Sequence, residues 1–224
     1  MFNNLLFISL APVFIIAWYI YSRDTYEKEP LRMLIKALYI GALCVIPVAI
    51  IEDVLMSLYQ GSDEIRKAAY TAFLVAGFTE EVFKYSAFLL YIWKDRNFNE
   101  KFDGIVYAVY ISLGFAGIEN LMYVFRGGYG VGLMRALTAV PAHALFGIMM
   151  GYYFGLAKFS KRFRAAGIAA AFIVPFAFHG LYDFLLMSNT PLLLTAFLPV
   201  LVFYWISGFR KISKHLHASA FRPD

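Results

Sequence analysis

The chain has 224 residues, of which 61% are hydrophobic and only 16% are charged. A soluble domain usually has roughly 45–50% apolar and about 25% charged residues, so this composition excludes an ordinary soluble domain. The net charge of +5 does not indicate a nucleic-acid partner, because the basic residues are scattered in short clusters between apolar runs.

Long apolar runs bounded by charged and turn residues predict about seven membrane-spanning helices, since one span needs about 20 mostly apolar residues. In chain order, the predicted spans are 3–21, 31–58, 68–93, 104–126, 132–158, 165–187 and 190–208. The expected fold is an all-α polytopic helix bundle in the lipid bilayer. It forms a single integral membrane domain over residues 1–224, with a short basic cytoplasmic tail at 209–224.

The first apolar run lacks a basic leading region and a small-residue cleavage site, so it is expected to be an uncleaved span. The 20 Lys and Arg residues divide unevenly between alternate connections: fifteen on one side, four on the other, and Lys84 inside a span. Because positively charged flanks stay cytoplasmic, the N-terminus is expected outside and the C-terminus inside.

Several ionisable residues lie inside the predicted spans. Such a residue at mid-membrane costs roughly 2.5–3.5 kcal/mol on insertion scales, which makes each one a candidate functional residue. With a helical rise of about 1.5 Å per residue, those in spans three to six fall between the midplane and the outer third of the bilayer. Four antiparallel helices are therefore expected to bring together Glu80, Glu81, Lys84, Glu119, His143, His179 and Asp183.

Local spacing indicates which of these side chains share a helix face. Residues four apart do so, which pairs Glu80 with Lys84 and His179 with Asp183. Adjacent helical residues point about 100° apart, so Glu80 and Glu81 are not expected to face the same partner. Small residues allow helices to approach closely, and the glycines near these positions are Gly77, Gly114, Gly117, Gly147, Gly151 and Gly180.

Four segments carry a family resemblance when they are taken in order. Residues 77–84 contain Glu-Glu-x-x-Lys, and residues 114–120, 141–147 and 178–184 carry Glu119 with Asn120, His143, and His179 with Asp183. Together they resemble the PrsW family of bacterial membrane proteases, and residues 24–30 and 102–107 are similar to it as well. The related CAAX prenyl endopeptidases and bacteriocin-processing enzymes have Arg where this chain has Lys84, which favours PrsW.

The resemblance implies a multi-pass protease of the bacterial cell membrane. Its substrate would be a membrane-anchored anti-sigma factor, a single-pass protein cut first at this site and later by another protease. The resemblance also implies that Glu80, Glu81 and His179 are required for activity.

Peptide hydrolysis needs an activated water, oxyanion stabilisation and a proton donor for the leaving amine. Glu80 is the predicted general base, with Glu81 as a second acid or a ligand. Two roles are open for His143 and His179. With Glu81 they would bind a catalytic divalent metal such as zinc; without a metal they would donate hydrogen bonds to the oxyanion. No His-Glu-x-x-His motif is present, so any metal ligands come from separate helices, and no soluble cofactor is expected.

The other buried polar residues have predicted supporting roles. Lys84 would neutralise the glutamates, and Asp183 would orient His179. Glu119 and Asn120 would support the site or form a structural hydrogen-bond pair.

Some polar residues are expected to lie outside the site. Glu52 and Asp53 are interpreted as the outer end of the second span. His215 and His217 are expected in a solvated, inert tail, and Cys44 is expected to be a small buried hydrophobic residue.

The same residues are compatible with two alternative functions. Buried Glu, His and Asp chains also form proton relays, so a proton-coupled transporter is one alternative. No internal repeat and no matching pair of interrupted helices supports it. A CAAX-type or bacteriocin-processing endopeptidase is the other alternative. The substrate, the cleaved bond, the activating signal and the oligomeric state do not follow from the sequence.

Overall fold

A computed structural model describes residues 2–223, and within them every regular element is helical, as predicted. The elements are α1 (Phe2–Arg23), α2 (Leu31–Leu58), α3 (Glu64–Ala69), a π-helical segment (Tyr70–Phe78), α4 (Thr79–Tyr91), α5 (Lys101–Leu137), α6 (Ala139–Phe159), a short 3-10 turn (Lys161–Phe163), α7 (Arg164–Met187) and α8 (Pro191–His217).

Local capping signals mark several helix starts. The Asp63 carboxylate accepts the backbone N–H of Arg66 at 2.7 Å and begins α3. Glu100 and Asp103 form a capping box at the start of α5. Pro191 occupies the first turn of α8, where a missing N–H costs nothing. These helices therefore begin where the sequence satisfies their free N–H groups.

Within residues 2–223, five helical stretches are long and apolar enough to cross a membrane: Asn3–Arg23, Leu31–Leu58, Lys101–Phe159, Lys161–Met187 and Pro191–His217. The predicted third span, residues 68–93, is not among them. The predicted fourth and fifth spans fall in one stretch of 59 residues, about twice the length that crosses a hydrocarbon core when straight. The count of seven stays a prediction.

Helices α5 and α6 form the centre of the bundle. They pack most extensively against each other, and almost every residue from Phe102 to Gly117 and from Ala139 to Tyr152 is buried. Helices α1, α2, α7 and α8 surround them and expose large apolar side chains such as Phe14, Ile46 and Leu198. The polar groups on these buried stretches of α5 and α6 are thereby enclosed within the bundle.

Close backbone contacts fix the helices around the polar residues. A methyl group on Gly114 would overlap the backbone carbonyl of Leu38, so α5 and α2 touch through main chain. One on Gly77 would lie 3.1 Å from the backbone nitrogen of Gly180, which joins the π-helical segment to α7. Gly117 differs, because a methyl group there would make only ordinary contacts, the nearest at 3.6 Å.

Helix α5 is interrupted before it reaches α6. Gly128 has a φ of 77°, a left-handed conformation that glycine adopts without a Cβ penalty. The last turns of α5 follow this kink, and Thr138 separates them from α6. The chain thus reverses direction and brings Arg135 and His143 back beside Glu119.

Candidate active site

The structure brings all seven intramembrane ionisable residues of the sequence prediction together. Glu80, Glu81 and Lys84 lie at the start of α4, directly after the π-helical segment, which is a distortion often found at functional sites. Helix α5 contributes Glu119, α6 contributes His143, and α7 contributes His179 and Asp183. A cavity of about 630 Å³ lies beside them and is lined by Glu80, Glu119, His143, His179 and Asp183, by further charged and polar side chains, and by apolar ones.

Lys84 is the centre of the cluster. Its side chain is fully buried, and Nζ donates to Glu80 Oε2 and to Glu81 Oε1, both at 2.9 Å. Nζ also lies 3.1 Å from His143 Nδ1 and 4.3 Å from the centre of the Phe115 ring. The prediction that Glu80 and Glu81 have different partners is wrong. The long lysine side chain reaches residues three and four positions earlier at the same time.

His179 contacts carboxylates through both ring nitrogens. Nδ1 lies 2.9 Å from Glu81 Oε1, while Nε2 lies 3.3 Å from Asp183 Oδ2 and 3.9 Å from Glu80 Oε1. The ring also stacks on Phe146, with centroids 4.7 Å apart. The contact with Asp183 is the one expected from the four-residue spacing. Together these contacts hold the imidazole in one orientation.

His143 is linked to a second polar chain. Its Nε2 lies 2.9 Å from Glu119 Oε2, and that oxygen forms an ion pair with Arg135 Nη2 at 2.8 Å. Arg135 Nε donates to Asn120 Oδ1 at 3.0 Å, and Asn120 Nδ2 donates to the carbonyl oxygen of Ser9 at 2.9 Å. Glu119 and Asn120 therefore connect through Arg135. This series of polar contacts runs from His143 on α6 to Ser9 on α1.

Glu80 and Glu81 differ in their access to the cavity. Glu80 lines it, whereas Glu81 is completely buried behind it. Glu81 Oε1 is used by Lys84 and His179, but its Oε2 is a buried oxygen without a hydrogen-bond donor. A molecule in the cavity can thus meet the Glu80 carboxylate directly, while Glu81 acts on the site through its neighbours.

Arg135 was not predicted as a site residue, and Glu52 lies beside the cavity. The division of charge places Arg135 among the four basic residues of the less basic side, although it is the fourth residue of the predicted fifth span, 132–158. That position was the available signal, because a charged residue inside a span usually has a polar partner. Glu52, interpreted as the end of a span, lines the cavity with Asp53. Nothing in its spacing distinguished these two possibilities.

The prediction that His215 is solvated is also wrong. His215 is buried, its Nδ1 lies 3.0 Å from the carbonyl oxygen of Lys101, and its ring stacks on Tyr152 with centroids 4.3 Å apart. Helix α8 continues to His217 and so extends through much of the predicted tail at 209–224. His217 is exposed, as expected, and Cys44 is partly buried.

Four of the clustered residues could bind a metal ion. One donor atom from each of Glu80, Glu81, His143 and His179 lies within 4.8 Å of all the others. Imidazole nitrogens with a carboxylate oxygen are the usual ligands of catalytic zinc. The unpartnered Glu81 Oε2 fits such a role. Because Lys84 lies 3.1 Å from His143 Nδ1, a metal that used this nitrogen would displace the ammonium.

Comparison with known proteins gives consistent results. Residues 29–207 match a family described as PrsW family intramembrane metalloprotease. The chain is 36% identical to Protease PrsW of Bacillus subtilis (strain 168) over 208 residues, covering 92% of each protein. It is 34% identical to Protease PrsW of Clostridioides difficile (strain 630), with 96% of this chain and 93% of that protein covered. No solved structure matches the chain.

Proposed function

Because the chain belongs to the PrsW family of intramembrane metalloproteases and is a membrane protease, we propose that it hydrolyses a peptide bond of a single-pass membrane protein. The observation that supports this most directly is the Glu80 carboxylate. It lines the cavity, is held by Lys84 at 2.9 Å, and lies 3.9 Å from His179 Nε2. A base, a neighbouring donor and space for a peptide thus occur in one place.

In the proposed reaction, Glu80 is the general base. It takes a proton from a water molecule, whose oxygen forms a bond to the scissile carbonyl carbon. The developing negative charge lies near the His143 and His179 side chains, which donate hydrogen bonds to it in the absence of a metal. Glu80 then transfers its proton to the amide nitrogen as the C–N bond breaks, releasing a free amine and a carboxylate.

The remaining residues position these groups. Lys84 holds Glu80 and Glu81 in place, and Glu81 and Asp183 fix the orientation of His179 through opposite sides of its ring. Glu119 does the same for His143. Such partners of catalytic imidazoles are typically worth 10–100-fold in activity or in metal affinity.

The metal in this proposal is zinc, held by His143, His179 and Glu81. When bound, it would polarise the scissile carbonyl and make a water molecule more acidic. Two histidines and one carboxylate form a common ligand set for catalytic zinc. The family description as a metalloprotease supports a metal at this site.

The proposed substrate is a membrane-anchored anti-sigma factor, cut on its extracytoplasmic side. This rests on the motif resemblance and on the predicted topology, with seven spans, the N-terminus outside and the C-terminus in the cytoplasm. In that topology, Glu80 and His179 lie nearer the outer leaflet. The proposed location is the bacterial cell membrane.

The test uses full-length protein in detergent, mixed with a single-pass anti-sigma factor that carries a tag at each end. The wild type is expected to release a shortened fragment, and Glu80→Gln is expected to release none, because the amide cannot accept the proton from water. Glu64→Gln changes an exposed carboxylate on α3 and serves as the control. Equal cleavage by wild type and Glu80→Gln excludes the proposed base.

Metal dependence is measured on the same preparation. Stoichiometric zinc is expected by elemental analysis, and removal by a chelator is expected to abolish cleavage until zinc is restored. Activity that survives complete metal removal contradicts the zinc assignment and leaves the metal-free role of the histidines. A different membrane substrate that is cut while the anti-sigma factor stays intact overturns the substrate assignment alone.

A further inference from the structure

A second carboxylate cluster lies far from the cavity. Glu27 and Glu29 are in the loop between α1 and α2, and Asp103 is in the first turn of α5. One oxygen from each lies within 4.8 Å of the other two. Asp103 precedes Glu119 by 16 positions on α5, which corresponds to about 24 Å of helix. One cluster thus lies at the start of α5 and the other beside its middle.

The oxygens of this cluster are buried and incompletely paired. Glu29 is 2% exposed and Asp103 is 0% exposed. Glu29 Oε2 accepts the Tyr107 hydroxyl proton, and Asp103 Oδ2 accepts the backbone N–H groups of the two residues Asn99 and Glu100, each at 2.7 Å. The second oxygen of each carboxylate, Glu29 Oε1 and Asp103 Oδ1, is buried without a hydrogen-bond donor. Two buried oxygens of the cluster therefore lack a donor from elsewhere in the protein, and the Glu29 and Asp103 carboxyl groups lie close enough to share a proton.

No side-chain cation forms a direct ion pair with this cluster in the described part of the chain, although Lys158 interacts with Asp103 electrostatically from farther away. Among residues 2–223, none of the ion pairs shorter than 4.0 Å involves the cluster. Lys28 is next to it in the chain, but its Nζ donates to the backbone carbonyls of Tyr21 and Asp24, both at 2.9 Å. Burial, reinforced by the negative charge of Asp103, raises the pKa of Glu29 to about 10. Unpaired buried carboxylates are costly, so these oxygens need a proton or a bound cation.

We propose that Glu27, Glu29 and Asp103 bind a hard divalent cation, Mg²⁺ or Ca²⁺, at a site separate from the active site. Both ions prefer carboxylate oxygens, usually completed by water. Glu27 is only partly buried, and its Oε2 is also without a donor. It therefore provides a route by which the ion enters from the loop side.

The bound ion would join the α1–α2 loop to the start of α5. These elements are otherwise connected here by the hydrogen bond between the Tyr107 hydroxyl and Glu29. The ion would stabilise the end of the bundle remote from the cavity. Its role is structural and does not depend on the proposed protease reaction.

Binding is tested on full-length protein in detergent after chelator treatment and desalting. Mn²⁺ is titrated as a spectroscopic substitute, and free Mn²⁺ is followed by electron paramagnetic resonance, with Mg²⁺ and Ca²⁺ as competitors. The wild type is expected to bind one Mn²⁺ that Mg²⁺ or Ca²⁺ displaces. Glu29→Gln and Asp103→Asn are each expected to weaken this binding by more than about tenfold, since even outer-sphere partners are worth that much.

Two controls separate this site from the active site and from surface charge. His179→Asn alters the active-site cluster, and Glu64→Gln removes an exposed carboxylate; both are expected to retain the displaceable Mn²⁺. Binding that is unchanged in Glu29→Gln and Asp103→Asn overturns the proposal, as does the loss of all Mn²⁺ binding in His179→Asn. If the wild type binds none of Mn²⁺, Mg²⁺ and Ca²⁺, the proposal is also overturned. A proton shared between the carboxyl groups would then explain the cluster.

Thermal unfolding supplies a second measurement that does not rely on Mn²⁺. In metal-free buffer, Glu29→Gln is expected to unfold at nearly the same temperature as the wild type, because the raised pKa keeps Glu29 protonated there and the amide is a neutral side chain of similar shape. Mg²⁺ or Ca²⁺ is expected to raise the unfolding temperature of the wild type and leave that of Glu29→Gln unchanged. Equal shifts in the two proteins, or no shift in either, contradict the proposed site.

Discussion

The Arg135 guanidinium forms an ion pair with the Glu119 carboxylate at 2.8 Å, on the same oxygen that lies 2.9 Å from His143 Nε2. Arg135 thus lines the cavity itself and also contacts His143 through one intermediate carboxylate. Its Nε also donates to Asn120, which anchors the guanidinium from a second direction. The last turns of α5, after the kink at Gly128, are needed to bring it there.

Replacing Arg135, which lines the cavity and pairs with Glu119, is expected to slow cleavage. Arg135→Gln should lower kcat by about 10–100-fold, the usual effect of losing a partner behind a catalytic imidazole. Arg135→Lys keeps the charge but loses the Nε–H donor, so an intermediate rate is expected. The measurement is the cleavage rate at saturating substrate, with Arg66→Gln on exposed α3 as the control. A wild-type rate in Arg135→Gln would show that Glu119 needs no such support.

Removing the Lys84 ammonium is expected to destabilise the protein. Lys84→Met leaves Glu80 and Glu81 as buried carboxylates without their cation, and breaking a buried pair in this way costs about 3–5 kcal/mol. The free energy of unfolding in mixed micelles is the quantity to measure.

A double variant tests whether charge is the cause of that loss. Glu81→Gln combined with Lys84→Met removes one charge of each sign, so it is expected to recover part of the lost free energy of unfolding. Its cleavage rate should stay below that of the wild type, because His179 has lost an anionic partner. The single variant Glu81→Gln is measured as well. If the losses of unfolding free energy in the two single variants simply add up in the double variant, the two side chains are not coupled.

Replacing Asp183 is expected to affect His179 alone. Asp183→Asn keeps the size of the side chain but removes the negative charge 3.3 Å from His179 Nε2. A fall in kcat of about tenfold is expected, with little change in KM, since such partners act through the imidazole. Steady-state kinetics separate the two parameters. A rise in KM at constant kcat would instead place Asp183 in substrate binding.

Two glycines on α5 provide a matched pair for the packing of the bundle. Gly114→Ala places a methyl group against the Leu38 carbonyl and should separate α5 from α2, at a cost of about 1–3 kcal/mol typical of overpacking. Gly117→Ala adds the same group where the nearest atom is 3.6 Å away, so little change is expected. Thermal unfolding of both proteins is the measurement. Equal losses would rule out the close contact as the cause.

The sequence predicted the all-α class and the gathering of Glu80, Glu119, His143 and His179, because charged residues inside apolar runs are rare enough to be informative. Helical spacing also predicted the contact between His179 and Asp183. These predictions needed only the helical periodicity within each span and the depth of each ionisable residue in the bilayer.

Other features depended on geometry that spacing does not contain. The joint contact of Glu80 and Glu81 with Lys84 depends on the reach of a long side chain. Arg135 joins the site because Gly128 kinks α5. His215 is buried because α8 continues past the predicted end of the last span. Each of these is set by how helices meet, which a single sequence does not specify.

The close glycine contacts also restrict where a substrate polypeptide can pass between the helices to reach the cavity. Where Gly114 meets Leu38 and Gly77 meets Gly180, main chain lies against main chain, and no side-chain rotation can open a passage there. The helices can part at those two contacts only if whole helices separate.

The boundary between α2 and the π-helical segment is closed differently. The Tyr70 hydroxyl donates to the Leu55 carbonyl at 2.8 Å, and Thr71 Oγ1 lies 3.5 Å from Met56 Sδ. Side chains of this kind change rotamer far faster than helices move. A lateral gate for a membrane-embedded peptide is therefore easier to open on this side than across either glycine contact.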